Sequence, residues 1–350
     1  MFCILYKYSI FNKIFKIKYK IMIDFRTYLK NAINCNNIDN IFEGGHVFDG
    51  GSDRIAKEDI KPTLNAFLDE MSRLFPEISK RWYQTPQTLG SVGKKDYSGD
   101  IDIAINIKAL DDIDDWNIDK QEISTLFEKF KKRARTSSAD QIMKRAVITA
   151  ISNYINNNSD KIVTDAKQAG SNMLFSQFNQ IDHITNKENG KTVQIDTMFG
   201  DVDWLKFAYY SDTYTGNVKG LHRTQLMLHL FSYKGYMFKH NDGVIDKETR
   251  EKVADTPKDA IKLLNKLYNI NLTESILSNY NKLFNYLKEH LDEETFNGVI
   301  DIYLQTLDHT RCDIPDNLQP YWIENQDRLG LKGKFLPEDS NLYPLRRPRQ

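Results

Sequence analysis

Cysteine is scarce in this 350-residue chain, and its three copies, Cys3, Cys35 and Cys312, lie far apart. They form no Cys-x-x-Cys pair and no zinc-ligand spacing, which argues against a disulfide scaffold and against a structural zinc site. A reducing, cytoplasmic setting is therefore expected.

An excess of charge of one sign is also missing. The chain has 48 Lys and Arg against 48 Asp and Glu, so its formal net charge is zero. This balance excludes a globally basic nucleic-acid binder but leaves a local basic groove open. With 40% hydrophobic and 27% charged residues, the composition is that of a soluble protein with a packed core, in one large or two modest domains.

No uninterrupted apolar stretch is long enough to span a bilayer, so stable membrane association is not expected. Segment 1–21 is nevertheless unusual, because it is apolar and basic and contains no acidic residue. Its composition favours in-frame upstream sequence, with translation starting at Met22. A membrane-surface segment and a targeting peptide are the alternatives. We assign it no function and treat it as an extension that is not native.

The apolar periodicity predicts a mixed α/β half followed by an α-helical half, with a boundary near residues 215–220. Pro62 suits the first turn of a helix that runs to about residue 75. The predicted strands are 87–91, 100–107, 172–180 and 192–199, with a turn at 187–190; helices are predicted within 120–156 and from Gly220 to about 310, including one over 276–287.

The most informative stretch is DIDIAINI, which begins at Asp100. Its isoleucines alternate with Asp100, Asp102, Ala104 and Asn106, so a strand would place both aspartates on one face. At about 3.3 Å per residue their Cα atoms would be about 6–7 Å apart. Two carboxylates at that distance repel each other unless a cation lies between them.

A second strand, TVQIDTMF, places Asp196 on one face in the same way. Beside Asp100 and Asp102, it would complete a site of three hard oxygen ligands that suits Mg²⁺ or Mn²⁺. The competing interpretation is an edge strand with solvated acids and a coincidental Asp196.

The turn ahead of the aspartate pair has the features of an anion site. Gly90 lets the backbone approach a ligand closely, and Ser91 adds a hydroxyl donor. Lys94 and Lys95 could add positive charge. A phosphate site next to a metal site is typical of triphosphate chemistry.

Taken in order, Leu89, Gly90-Ser91, eight intervening residues, Asp100-Ile101-Asp102 and Asp196 resemble the signature of the DNA polymerase β-like nucleotidyltransferase superfamily. The resemblance covers roughly residues 60–200. It implies an α+β fold, with a mixed sheet and flanking helices followed by an α-helical domain. It also implies two Mg²⁺ or Mn²⁺ ions, both bound by Asp100 and Asp102, with Asp196 completing the site of the catalytic ion.

With the change in apolar pattern, the resemblance predicts a catalytic domain over 22–215 and a helical domain over 216–330. The tail over 331–350 has three prolines and a basic end, which predict an extended basic segment. Gly90, Ser91, Lys94 and Lys95 would contact the nucleotide. Lys219 and Arg223, at the start of the helical domain, are further candidates for nucleotide binding; otherwise they are surface charges.

The layout is compatible with the poly(A) polymerase and archaeal-type CCA-adding branch, and it also looks like viral or phage members. The leading function is template-independent transfer of NMP from an NTP, ATP first, to an RNA 3′ end. One alternative is NMP transfer to a protein or small molecule, or synthesis of a nucleotide messenger. Another is a non-catalytic nucleic-acid-binding module. The basic run 129–145 is either a contact for the phosphate backbone or a solvated helical face.

Overall fold

Strands of the described chain form three separate sheets. The computed structural model describes residues 47–83, 87–90, 92–134, 137–166, 172–210, 220–310 and 313–331, all within the unit Gly44–Gln350. The strands are β1 (Ile55–Ala56), β2 (Gln87–Thr88), β3 (Tyr97–Ser98), β4 (Asp100–Asn106), β5 (Ile162–Asp165), β6 (Met173–Ile181), β7 (Glu188–Gly200), β8 (Tyr236–Lys239), β9 (Gly243–Asp246) and β10 (Lys252–Ala254).

Helices flank the strands and dominate the chain after residue 256. They are α1 (Lys57–Leu74), α2 (Pro76–Ile78), α3 (Lys120–Lys131), α4 (Ala139–Asn158), α5 (Val202–Tyr209), α6 (Gly220–Tyr233), α7 (Pro257–Tyr268), α8 (Glu274–Leu277), α9 (Tyr280–His290), α10 (Glu293–Thr310) and α11 (Gln319–Leu329).

The central sheet has the order β2-β4-β7-β6-β5, and its strands β4 and β7 run parallel while the other pairs are antiparallel. One face of β4 carries the buried side chains of Ile101, Ile103 and Ile105. Helices α1 and α4 cover this face and share one hydrophobic core with it. The other face, which carries the aspartates, is therefore the one left for a site. This confirms the predicted mixed sheet with flanking helices.

Several helices begin where the sequence supplies a side-chain cap. Ser138 and Gln141 form a reciprocal capping box at the start of α4. Thr256 accepts a hydrogen bond from the Asp259 amide, and Pro257 occupies the first turn of α7. These local interactions satisfy amide groups that a helix leaves unbonded at its start.

The second half of the chain contains a small sheet that the sequence analysis did not predict. Strands β8, β9 and β10 form an antiparallel sheet, although helix was predicted from Gly220 to about residue 310. Gly235 and Gly243 have φ values of 87° and 103°, a backbone conformation that L side chains rarely adopt. These two glycines end α6 and turn the chain between β8 and β9.

Other predicted boundaries need correction. Helix α1 begins at Lys57, so Pro62 lies inside the helix rather than in its first turn. The turn between β6 and β7 begins at Asp182, because that carboxylate accepts bonds from the amides of Ile184 and Thr185. The predicted helix over 276–287 is interrupted, since Asn279 caps a new helix through the Lys282 amide.

Some predictions lie outside the described residues: the extension 1–21, the boundary near 215–220, and the tail beyond residue 331. Within the described ranges, no helix combines the length and the apolar character needed to cross a membrane.

Candidate metal centre

Two parallel strands bring three carboxylates together. The register of β4 on β7 pairs Asp102 with Asp196 and Asp100 with Gln194. Because paired residues and their i+2 neighbours point to the same side of a sheet, all three aspartates share one face. Each offers a carboxylate oxygen within 4.8 Å of those of the other two. The convergence predicted from the sequence is therefore present.

The described part of the chain gives the three carboxylates no salt-bridge partner. Among the described residues, none of them forms an ion pair with a Lys, Arg or His within 4.0 Å. Burial raises the pKa of Asp100, and it raises the pKa of Asp102 and Asp196 well above the ordinary range. The charge of Asp100 raises both of the latter further. A cation bound between the carboxylates would offset the repulsion between their charges.

Gln194 orients the third carboxylate. Its side-chain amide donates to both oxygens of Asp196, at 2.8 and 3.1 Å, and its own oxygen accepts a bond from the Val47 amide. These bonds lower the pKa of Asp196 against the larger effect of burial. The sequence places Gln194 on the correct face, but its role as a donor emerges only from the structure.

The glycine turn lies directly against the aspartates. Gly90 has a φ of 60°, and a Cβ added there would lie 3.1 Å from the Asp102 carboxylate. The Leu89 amide also donates to the Asp102 carbonyl at 2.9 Å. Glycine at position 90 is thus required both by backbone conformation and by space.

Lysines follow the same turn. The Lys94 ammonium lies 4.4 Å from the centre of the Tyr210 ring. Lys95 is partly buried, and Ser91 lies outside the described residues. The nucleotide contacts of Lys94 and Lys95 stay predictions.

Apolar side chains border the carboxylates on one side and were not predicted from the sequence; we call them the apolar floor. Leu89, Ala104, Met198 and Leu205 form a small buried cluster on the aspartate face, and Tyr209 packs against it. Burial raises the pKa of the Tyr209 hydroxyl, and the charges of Asp102 and Asp196 raise it further. Tyr209 is thus a protonated phenol beside the carboxylates. No pattern in the sequence indicates that Tyr209 lies beside Asp196.

Arg223 does not have the role predicted for it. Its side chain is 1% exposed, and its guanidinium donates to the backbone carbonyls of Phe207, Ala208 and Leu277. A buried arginine occupied in this way is not presented to a dissolved triphosphate. The prediction that Arg223 binds the nucleotide is therefore corrected, and Lys219 lies outside the described residues.

The donor set fits Mg²⁺ or Mn²⁺. Three converging carboxylates with raised pKa values offer hard oxygen ligands to a divalent ion. The competing interpretation of a solvated edge strand does not fit, because β4 lies between β2 and β7 in the sheet. A cluster of Asp59, Asp182 and His183 is also close-packed, but hydrogen bonds from His183 to Asp59 on α1, and from Thr185 to Asp182 within the β6–β7 turn, account for it.

Comparisons with known proteins give weak similarity. No family model and no curated protein matches the chain. It is similar to the structure of Leishmania infantum polymerase beta in a ternary P/T complex, at 14% identity and a TM-score of 0.33, over 70% of this chain and 76% of that chain. The ternary gap complex of the same protein gives 13% identity and a TM-score of 0.29, over 72% and 67%. Similarity at this level adds no argument about activity, which has to rest on the geometry of the carboxylates.

Proposed function

We propose that this protein is a divalent-metal-dependent nucleotidyltransferase, which transfers NMP from an NTP and releases pyrophosphate. The observation that carries the proposal is the convergence of Asp100, Asp102 and Asp196 on one sheet face, in register. The neighbouring turn at Gly90 approaches Asp102 closely enough to bring a bound phosphate next to the same ions.

In this proposal Asp100 and Asp102 hold both ions, and Asp196 completes the site of the ion nearest the acceptor. When bound, two such ions would lower the pKa of the attacking hydroxyl and neutralise the leaving pyrophosphate. Gln194 holds the Asp196 carboxylate in a fixed orientation through its two donated bonds. Fixing the ligands in advance is how a protein contributes to phosphoryl transfer, since most of the catalysis is positioning and electrostatics.

The turn residues Gly90 and Ser91, with Lys94 and Lys95, would hold the triphosphate; Lys219 is a further contact in this proposal. The apolar floor next to the aspartates would exclude water from one side of bound ions. A lower local dielectric strengthens the interaction of the ions with the triphosphate.

For the acceptor we propose an RNA 3′ end, extended without a template and with ATP as the preferred nucleotide. A protein or small-molecule acceptor, or synthesis of a nucleotide messenger, is the second candidate, and the zero net charge of the chain favours it.

The test is incubation of the purified protein with each labelled NTP, Mg²⁺ or Mn²⁺, and RNA, DNA or no added acceptor. Ladders on RNA without a template support the leading proposal, whereas template-dependent extension of DNA would replace its acceptor. Label on the protein, or a new small product, supports the second candidate. Binding of RNA without turnover would overturn the enzymatic proposal.

Two variants make the assay specific for the metal centre. Asp102→Asn removes a ligand and is expected to lower the rate by a factor on the order of 1000, the loss seen when a key electrostatic group is removed. Asp69→Asn removes an exposed carboxylate on α1 and serves as the matched control. Equal activity in the two variants would contradict the assignment.

A further inference from the structure

The C-terminal turn of α5 is the part of the chain that supplies Tyr209 to the carboxylate face. A helix leaves its last four carbonyls without partners in its own backbone. In α5 these include the carbonyls of Phe207 and Ala208, which lie immediately before Tyr209. The groups that donate hydrogen bonds to these carbonyls fix the backbone at the end of α5, and therefore the direction of Tyr209.

Two residues at the start of α6 bind them. Arg223 donates through Nη1 to the Phe207 carbonyl and, at 3.4 Å, to that of Ala208. Thr224 donates to the Ala208 carbonyl at 2.7 Å. The guanidinium also lies 5.0 Å from the centre of the Phe207 ring. Two carbonyls in the last turn of α5 thus accept hydrogen bonds from side chains of α6.

The same guanidinium reaches a third helix. Its Nε donates at 2.5 Å to the carbonyl of Leu277, the last residue of α8. Burial lowers the pKa of Arg223 to about 10, so the group stays charged at neutral pH. A buried charge is costly, and the nearby charge of Glu274 offsets only part of the effect of burial on Arg223. An apolar side chain would avoid this cost but would remove the donor to the carbonyls of Phe207 and Leu277, whereas the Ala208 carbonyl would keep its bond from Thr224.

Tyr209 is held on two sides. It packs on the apolar cluster beside the aspartates, and its ring lies 5.4 Å from that of His240. Its backbone position is set by the neighbouring carbonyls bonded to Arg223. Arg223 is therefore one of the contacts that connect the helices after residue 220 to the carboxylate face.

We propose that Arg223 is a positioning residue for the transfer reaction, acting through the carbonyls of Phe207 and Ala208 to hold Tyr209 against the carboxylate face. The proposal rests on the proposed function for its kinetic consequence, but its structural part can be measured without activity. A displacement of about 1 Å at a reacting site can lower a rate by up to about 100-fold, so loss of this bond should appear in kcat.

The first experiment compares Arg223→Lys and Arg223→Met with the wild type. Lysine keeps the charge but cannot bridge carbonyls on two helices, and methionine keeps the volume without a donor. For both variants we expect kcat to fall about tenfold with KM for the NTP within about twofold, because the triphosphate contacts lie elsewhere. Unchanged kcat in both would overturn the proposal.

A matched control separates positioning from stability. Asn265 also ties a helix to a following segment, through two bonds to the backbone of Leu272 at 3.0 and 2.6 Å. Asn265→Ala should lower stability by a similar mechanism and leave kcat unchanged at a temperature where all variants are folded. An equal loss of kcat in this variant would reduce Arg223 to a general structural role and overturn the proposal.

A double-mutant cycle with Tyr209→Phe tests whether Arg223 acts through Tyr209. If Arg223 acts through Tyr209, the loss in the double variant is smaller than the product of the two single losses. Independent, multiplicative losses would overturn the route through Tyr209.

Hydrogen exchange of the α5 amides gives the readout that needs no activity. Exchange in the last turn of α5 should rise at least about tenfold in Arg223→Lys and stay unchanged in Asn265→Ala. Unchanged exchange in Arg223→Lys would refute the proposal even if the protein is an active transferase. A wild type that binds Mn²⁺ but transfers no nucleotide would overturn the proposed function instead, and the exchange result would still decide the role of Arg223.

Discussion

Replacing Asp196 by asparagine should stabilise the metal-free protein. The three carboxylates offer oxygens within 4.8 Å of one another, and at that separation two unit charges repel by about 3.5 kcal/mol for an effective dielectric constant of about 20. Proton uptake by the folded protein limits this repulsion, and the variant keeps only part of the hydrogen bonding from Gln194, a loss of about 1 kcal/mol. We therefore expect the free energy of unfolding to rise by about 1–2 kcal/mol at pH 8 in EDTA.

The pH dependence gives the sign of the effect. Burial and neighbouring charge raise the pKa of Asp102 and Asp196 above their unfolded values. The folded protein then binds more protons than the unfolded chain, so the stability of the wild type falls as pH rises from the unfolded pKa through the raised folded ones. The advantage of Asp196→Asn should shrink towards pH 4 and grow towards pH 8.

Metal should reverse the order of stability. Mn²⁺ at about 100 times its dissociation constant would stabilise the wild type by about 2.7 kcal/mol, and the variant by much less. Urea denaturation in EDTA and in Mn²⁺, at several pH values, measures both effects, with Asp69→Asn as the control for loss of one exposed carboxylate. An Asp196→Asn variant that is less stable than the wild type in EDTA at pH 8 would refute the argument from uncompensated charge.

Further expectations follow from contacts around and away from the centre. Gly90→Ala, with φ at 60° and a Cβ 3.1 Å from the Asp102 carboxylate, should lose about 1 kcal/mol of stability and weaken Mn²⁺ binding, measured by calorimetry. The hydrogen bond between His183 and Asp59 raises the pKa of His183. The stability that this pair provides is therefore present at low pH and is lost as pH rises through the raised pKa. His183→Gln should flatten this part of the curve of urea midpoint against pH. Thr256→Val removes an N-cap and should lower the free energy of unfolding by about 1 kcal/mol in thermal denaturation without changing Mn²⁺ affinity.

Each of these has a contrary outcome. Unchanged Mn²⁺ affinity in Gly90→Ala would mean that the turn does not press on the metal ligands. A His183→Gln profile that keeps the wild-type slope would assign the pH dependence to other groups. Thr256→Val with weaker Mn²⁺ binding would show that α7 is coupled to the metal centre.

Local sequence patterns were enough to predict the part of the site that lies on β4. Alternation with period two is a property of neighbouring residues, so Asp100 and Asp102 could be assigned to one face without knowledge of the rest of the fold. The same holds for Thr256-Pro257, where the cap and the proline act on amides a few residues away. The hairpin at Gly243 carried a local signal too, but the surrounding apolar residues were interpreted as helical.

Only the tertiary structure decided the rest, because it depends on contacts between segments distant along the chain. A shift of β7 by one residue against β4 would turn Asp196 to the opposite face, and no local pattern sets that register. The donation from Gln194 to Asp196, the position of Tyr209 on the apolar floor and the burial of Arg223 arise in the same way. The identity of a charged residue does not reveal whether its partner is a ligand or a backbone carbonyl on another helix. For Arg223, the tertiary structure shows that the partner is a backbone carbonyl.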